Sequence, residues 1–233
     1  MGLDSIEILI EVEKAFEISI PNQEAEKIIT VGNFHDVVWQ HVNHRQSNKC
    51  KSQSLFYKLR QSLVEAFHIP NESLKPDTTL NDIFPQDNRR QYWSKLALAN
   101  GLEFPNLILP TPYSTILSSI GLITIGGGLA ISIILILFFD FTKWTLLIPL
   151  TGIAITYFVS ELLNPKRTEF KQANIRELTN KILVLNYKTL NKDGEVNRKE
   201  VELIVSNIIA DKSGLELKEV TPDKKICDDL GID

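Results

Sequence analysis

The chain has 233 residues, room for one large domain or two small ones, with 29 acidic and 25 basic side chains and a formal net charge of -4 at pH 7. That mild balance, with no basic stripe, argues against nucleic acid as a partner. The two cysteines, Cys50 and Cys227, stand apart and without metal-ligand spacing, which argues against a disulfide scaffold and fits a reducing compartment.

In chain order, Asp4-Ser5-Ile6-Glu7 reads as a helix start, with Asp4 as N-cap and Glu7 completing a capping-box-like pattern. Ile6, Leu9, Val12, Ala15 and Phe16 recur at helical spacing and predict the buried face. Glu7 with Glu11, and Glu13 with Glu17, sit four apart on the exposed face. Ile18 and Ile20 lead to Pro21, which stops the element. A short helix over 24–29 follows. Thr30-Val31-Gly32-Asn33 starts another, whose buried side is Val31, Phe34, Val37 and Val38. His35, His41 and His44 read as polar residues on that helix and its connector. No cysteine or acidic partner stands at ligand spacing, so no metal is expected.

Leu59, Leu63 and Phe67 form the face of a further helix, followed by a loop through Leu74, Pro76, Asp77 and Asp82. The stretch DNRRQYWSKLALANGLEFPN predicts another helix. Residues 114–163 are then almost entirely apolar. They form two runs, each about the roughly 20 residues that cross a bilayer, joined by a polar turn at 140–143. A helix apolar on all sides needs lipid or a large core, and no other part of this chain is large enough to cover two. Gly126, Gly127 and Gly128 offer close approach to the second run, which carries Gly152, and Pro149 predicts a bend there. Arg89, Arg90 and Lys95 precede the pair, and Lys166, Arg167 and Lys171 follow it. The turn has only Lys143 beside Asp140. This asymmetry places both polar arms on the cytoplasmic side of a membrane.

Residues 174–184 (NIRELTNKILV) predict a helix. Residues 189–200 (TLNKDGEVNRKE) carry part of a calcium-loop spacing, with Asn191, Asp193, Gly194, Val196 and Glu200 in register. Thr189 stands where such a loop begins with Asp. The competing reading is a turn at Asp193-Gly194 and a helix start near Asn197. Val201, Ile204, Val205, Ile208 and Ile209 give the last helical face, stopped by Gly214.

The opening stretch GLDSIEILIEVEKAFEISIPNQEAEKIITVGNFHDVV resembles the second half of an acyl carrier protein. Asp4-Ser5-Ile6 matches that family's D-S-[LI], and Ile18 to Pro21 its apolar-I-P stretch. Thr30 to Asn33 matches T-V-G-D, with Asn33 in place of the usual Asp. The closing stretch EVELIVSNIIADKSGLELKEVTPDKKICDDLGID resembles the family's first helix and loop, where T-P-D and D-D-L-G recur. Gly231-Ile232-Asp233 repeats the pattern of Gly2-Leu3-Asp4. The middle stretch SLFYKLRQSLVEAFHIPNESLKPDTTLNDIFP repeats the closing one. After it, Leu102-Glu103-Phe104-Pro105 stands where Ile18-Ser19-Ile20-Pro21 stood, and Asn88-Arg89 replaces Asp4-Ser5.

The resemblance implies an all-α fold. Residues 1–46 and 197–233 make one acyl-carrier-like bundle from both ends of the chain. Residues 52–108 make a degenerate second unit, 114–164 a transmembrane hairpin, and 168–190 a linker and helix that completes the second unit. Two other arrangements fit: ends that serve different molecules of a dimer, or a chain that is a piece of something longer. The resemblance further implies that Ser5 receives 4′-phosphopantetheine, that Asp4 positions the helix start, and that Glu7, Glu11 and Glu13 dock partners. Those partners are a phosphopantetheinyl transferase and acyl-loading and acyl-accepting enzymes. The function this implies is a membrane-anchored carrier of thioester-bound acyl intermediates for lipid or natural-product synthesis, not an enzyme. The alternatives are an unmodified membrane scaffold and a calcium-responsive membrane protein using Asp193 and Glu200.

Overall fold

The structure, a computed structural model, describes residues 3–139 and 143–232. Gly2 and Asp233 of the repeated end motif, and residues 140–142 of the expected polar turn, lie outside the described residues. All regular structure among the described residues is helical, and β pairing is confined to isolated bridges. The chain divides into two compact units. One holds the described residues through Ile83, Lys95–Pro105, and everything from Gln172 onward; the other holds Phe84–Ser94 and Asn106–Lys171.

The first unit contains one helical bundle and most of a second, whose helix over Arg89–Asn100 begins in the second unit. In the first bundle, α1 (Leu3–Phe16), α2 (Asn22–Ala25) and α3 (Val31–Val42) come from the start of the chain, and α12 (Arg198–Ser213) from its end. Helix α12 packs on both α1 and α3. It buries Val201, Ile204, Val205, Ile208 and Ile209, and also Ser206 and Asn207 on its flank. Each such aliphatic side chain stabilises by roughly 1.5–3 kcal/mol when fully buried, so the closing stretch supplies the centre of the core under the opening one. The loop after α12 is stitched to α3 by backbone bonds: Val31 N to Lys224 O (3.0 Å), Gly32 N to Pro222 O (2.8 Å) and Ile226 N to Ile29 O (2.9 Å). Thr30 caps α3 in a capping box with Asn33.

The buried face of α1 is rotated from the expected one. Ser5, Ile8, Leu9, Val12 and Phe16 point inward, whereas Ile6 is 43% exposed. Apolar residues at 6, 8, 9, 10 and 12 offer two overlapping stripes, and contact with α12 selects the one that includes the small Ser5. Val37 is only partly buried in α3, while His35 is buried and its Nε2 lies 3.0 Å from Ser206 Oγ on α12. The expected helix over 24–29 is the single turn of α2, four residues shorter at its end.

The second bundle repeats the first in backbone detail. Helix α4 (Lys51–Phe67) corresponds to α12, and buried Leu55, Leu59 and Leu63 to Val201, Val205 and Ile209. His68 ends α4 in the left-handed region, as Gly214 ends α12. Helix α10 (Ile175–Leu185), capped by Asn174, corresponds to α3. The same three stitching bonds recur: Ile175 N to Thr78 O, Arg176 N to Pro76 O and Leu80 N to Ala173 O. Helix α6 (Arg89–Asn100) ends at Gly101 with φ 61°, as α1 ends at Glu17 with φ 54°. Beyond those turns, Leu102 N bonds Ala97 O as Ile18 N bonds Glu13 O. One element does not repeat. The nine residues from Pro21 to Ile29 hold α2, whereas between Pro105 and Ala173 the chain leaves for the second unit. The short α5 (Leu80–Ile83) and α11 (Tyr187–Leu190) finish the helices of this unit, in which α10 also contacts α12.

The second unit is dominated by two apolar helical stretches. The first, Thr111–Phe139, joins α7 (Thr111–Gly121), a π turn over Leu122–Gly126 and α8 (Gly127–Phe139). The second, Trp144–Leu162, ends in α9 (Ile148–Leu162). Both are long and apolar enough to cross a membrane, and little of either is buried within the protein. Their contact uses fewer glycines than expected. A Cβ on Gly152 would lie 2.7 Å from Thr124 O, and one on Gly128 3.2 Å from the Pro149 backbone, but Gly127 faces open space. Gly126 meets only Leu122 of its own turn. Pro149 lies in the first turn of α9, where its missing N–H costs nothing, so it starts that helix instead of bending it.

Candidate functional site

Helix α1 is already under way at Leu3, so Asp4 lies inside its first turn and is not the N-cap. Exposed there, its carboxylate complements the positive end of the helix dipole. Ser5 is one residue further on and turned inward. It is 7% exposed, and its Oγ has no hydrogen-bond partner among the described residues. Ser5 is one of the residues around a cavity of about 30 Å³, with Ile8 and Leu9 of α1, Ile28, Phe34 of α3, Ile209 of α12, and Ile226 and Cys227 of the closing loop. Four separate stretches of chain therefore converge on this serine. An unpaired buried hydroxyl costs roughly 1–3 kcal/mol, a cost offset here by the apolar contacts of its neighbours. The first turn of a helix is also where backbone N–H groups lack intrahelical acceptors, so this end attracts anions.

The three glutamates expected to dock partners have distinct settings. Glu7 and Glu11 both pair with Lys212 of α12, at 2.8 and 3.0 Å. The two carboxylates raise the Lys212 ammonium to about 12, and Lys212 holds the Glu7 carboxyl below its usual range. Glu13 turns the other way: its Oε1 accepts from Ile20 N at 2.7 Å and fixes the chain after α1. Glu17 pairs with Lys188. The open acidic face is thus a partly neutralised one, and the residue responsible, Lys212, lies at the far end of the sequence.

In the second bundle, Arg89 occupies the position of Ser5 in register. It is 3% exposed, donates twice to Phe84 O and once to Thr168 O, and stacks 4.6 Å over the Phe170 ring. Burial lowers its pKa, yet its donors are met by carbonyls. This position has become a structural anchor with no hydroxyl.

Residues 189–200 do not form a calcium loop. Gly194 turns the chain at φ 69°, and Asn197 caps α12. Glu200, the would-be bidentate ligand, is buried and accepts from Lys51 N and Ser52 N at the start of α4. Asp193 pairs with Lys51 at 3.4 Å. No group of acidic, histidine or cysteine side chains among the described residues is arranged to hold a metal ion.

Sequence reasoning missed the cavity residues Ile28, Ile226 and Cys227, and it missed Lys212. A basic residue in the last turn before Gly214 was visible, but its partners lie at the other end of the chain.

No protein-family model matches the chain, and no solved structure matches it. Among curated proteins, the acyl carrier protein of Rubrobacter xylanophilus is 49% identical over 40 residues, which are 17% of this chain and 49% of that protein. The chain thus spans about half the length of this curated relative.

Proposed function

We propose that the protein is a membrane-anchored acyl carrier whose carrier bundle is built from both ends of the chain, with Ser5 bearing 4′-phosphopantetheine. The observation that carries this reading is an unpartnered serine hydroxyl in the first turn of α1, on an opening stretch whose motifs match the carrier pattern. A match over half of a relative's length is also what one arm of a rearranged carrier gives. The residues present fit the group. Ser5 supplies the attachment oxygen, the α1 N-terminus favours the phosphodiester, and Asp4 stays exposed beside it. When bound, the arm supplies a terminal thiol that carries an acyl group as a thioester.

The protein's own part is to present Ser5, not to catalyse. Access to Ser5 requires the first turn of α1 to swing outward, which returns the orphaned hydroxyl to water. The two long apolar stretches are read as a membrane hairpin, with both polar arms on the cytoplasmic side. The carrier would then meet a phosphopantetheinyl transferase, and acyl-loading and acyl-accepting enzymes, at a membrane surface.

A second reading, an unmodified membrane scaffold, draws support from the burial of Ser5 and from the second bundle, which keeps its form with Arg89 in that place. Intact mass after co-expression with a transferase separates the two. The carrier gains one phosphopantetheine, lost in Ser5→Ala; a scaffold gains none.

A further inference from the structure

The two apolar stretches begin and end beside each other. Ile108, just before the first, pairs with Glu169, just after the second, through backbone bonds in both directions. The short strap of residues 164–171 that leaves α9 is pinned along its length. Arg90 donates to Asn164 O, Arg89 donates to Thr168 O at 2.8 Å, and Phe170 lies against Arg89, Phe84 and Trp93. All of these residues belong to the second unit.

The pinned strap holds cations at the end of the hairpin. Lys166 and Lys171 are exposed, and neither ammonium pairs with a carboxylate among the described residues. Arg167 is half-buried and reaches back 3.0 Å to Ser160 Oγ on α9, and exposed Arg90 stands at the edge of the strap. Three carboxylates, Asp87, Glu161 and Glu169, stand against these four cations and buried Arg89, and the charge of Glu169 acts on Arg89.

Resting on the membrane-hairpin reading above, we infer that this strap is a docking surface for anionic phospholipid headgroups. A chain that has just left a bilayer after Leu162 stands at headgroup level, and basic clusters there attract anionic lipid. A headgroup phosphate meets the Lys166 and Lys171 ammonium groups, with Arg90 beside them. Because the strap is already held by α6 and its aromatic neighbours, docking does not first have to order a loop.

The test reconstitutes the full chain in phosphatidylcholine vesicles and adds spin-labelled phosphatidylglycerol or spin-labelled phosphatidylcholine as tracer. The motionally restricted fraction of each gives the relative affinity. Each lysine near the surface contributes about fivefold, so a preference for phosphatidylglycerol on the order of twentyfold is expected. Lys166→Gln with Lys171→Gln should remove nearly all of it. Lys192→Gln with Lys199→Gln, exposed lysines of the first unit, should leave it in place. So should an excess of inorganic phosphate at matched ionic strength. Equal affinity for the two lipids overturns the inference and leaves the hairpin reading intact. An equal loss in both lysine pairs overturns it as a general effect of charge, and displacement by phosphate overturns it in favour of a soluble anion. Failure of the protein to enter vesicles sinks the hairpin reading and this inference together.

Discussion

Truncating one side chain of the closing stretch tests whether it holds the opening stretch together. Ile209 on α12 is fully buried and shares a cavity wall with Ser5, Ile8, Leu9 and Phe34. Ile209→Ala removes three carbons. At about 0.8 kcal/mol each the transfer loss is about 2.4 kcal/mol, and the enlarged cavity brings the total to roughly 3 kcal/mol, within the 2–5 seen for such changes. Because α12 packs on α1 and α3 at once, the loss should appear in both. Hydrogen exchange of the full chain in micelles, read by mass spectrometry, resolves peptides within α1, α3 and α12. A 3 kcal/mol loss corresponds to exchange roughly a hundredfold faster, since about 1.4 kcal/mol is tenfold. Faster exchange confined to α12, with α1 and α3 unchanged, would refute an α12-centred core.

Three further outcomes are expected. Burial, the largest cause, holds His35 below its usual pKa; Glu202 and Asp36 pull it up and Arg198 pushes it down. Its folded pKa lies below the unfolded one. Its contribution is therefore complete above about 6.5 and is lost as pH falls from there through the folded value, and His35→Gln should flatten that part of a melting-temperature profile. Glu200→Ala removes the acceptor at the start of α4 and should destabilise by about 1–2 kcal/mol, seen as faster proteolysis near Lys51, while calcium titration of the unaltered protein gives no heat. Gly152→Val drives a side chain into Thr124 O and should lower the thermal stability of the apolar hairpin in micelles. Gly127→Ala, facing open space, should leave it unchanged.

Much of the helical layout was readable because caps and stops are local. Thr30, Asn174, Asn197 and Gly214 act where their residue types predict. The repeat was readable in part, since Leu74, Pro76 and Asp77 echo Val220, Pro222 and Asp223. Its closure by a helix after the apolar stretches was expected from the resemblance, while the backbone bonds that make the closure join segments far apart in the chain and follow no local pattern. The rotation of α1 was not readable, because consecutive apolar residues leave two stripes open until a partner helix selects one. The setting of the site was hidden for the same reason. Ser5 is buried by residues from four stretches, and Glu7 and Glu11 meet a lysine some two hundred positions away. The glycine run misled because only the glycines facing the partner helix matter, and helix phase decides which those are.

The excursion that stands in place of α2 sets an order of events during synthesis. Ribosomes deliver the chain from its first residue onward, and the long apolar stretches emerge before α10 and α12 exist. Neither bundle has its closing helix at that moment. The hairpin must find its own apolar surroundings while both bundles are still half-built, and a complete first bundle arises only on molecules that have passed that stage.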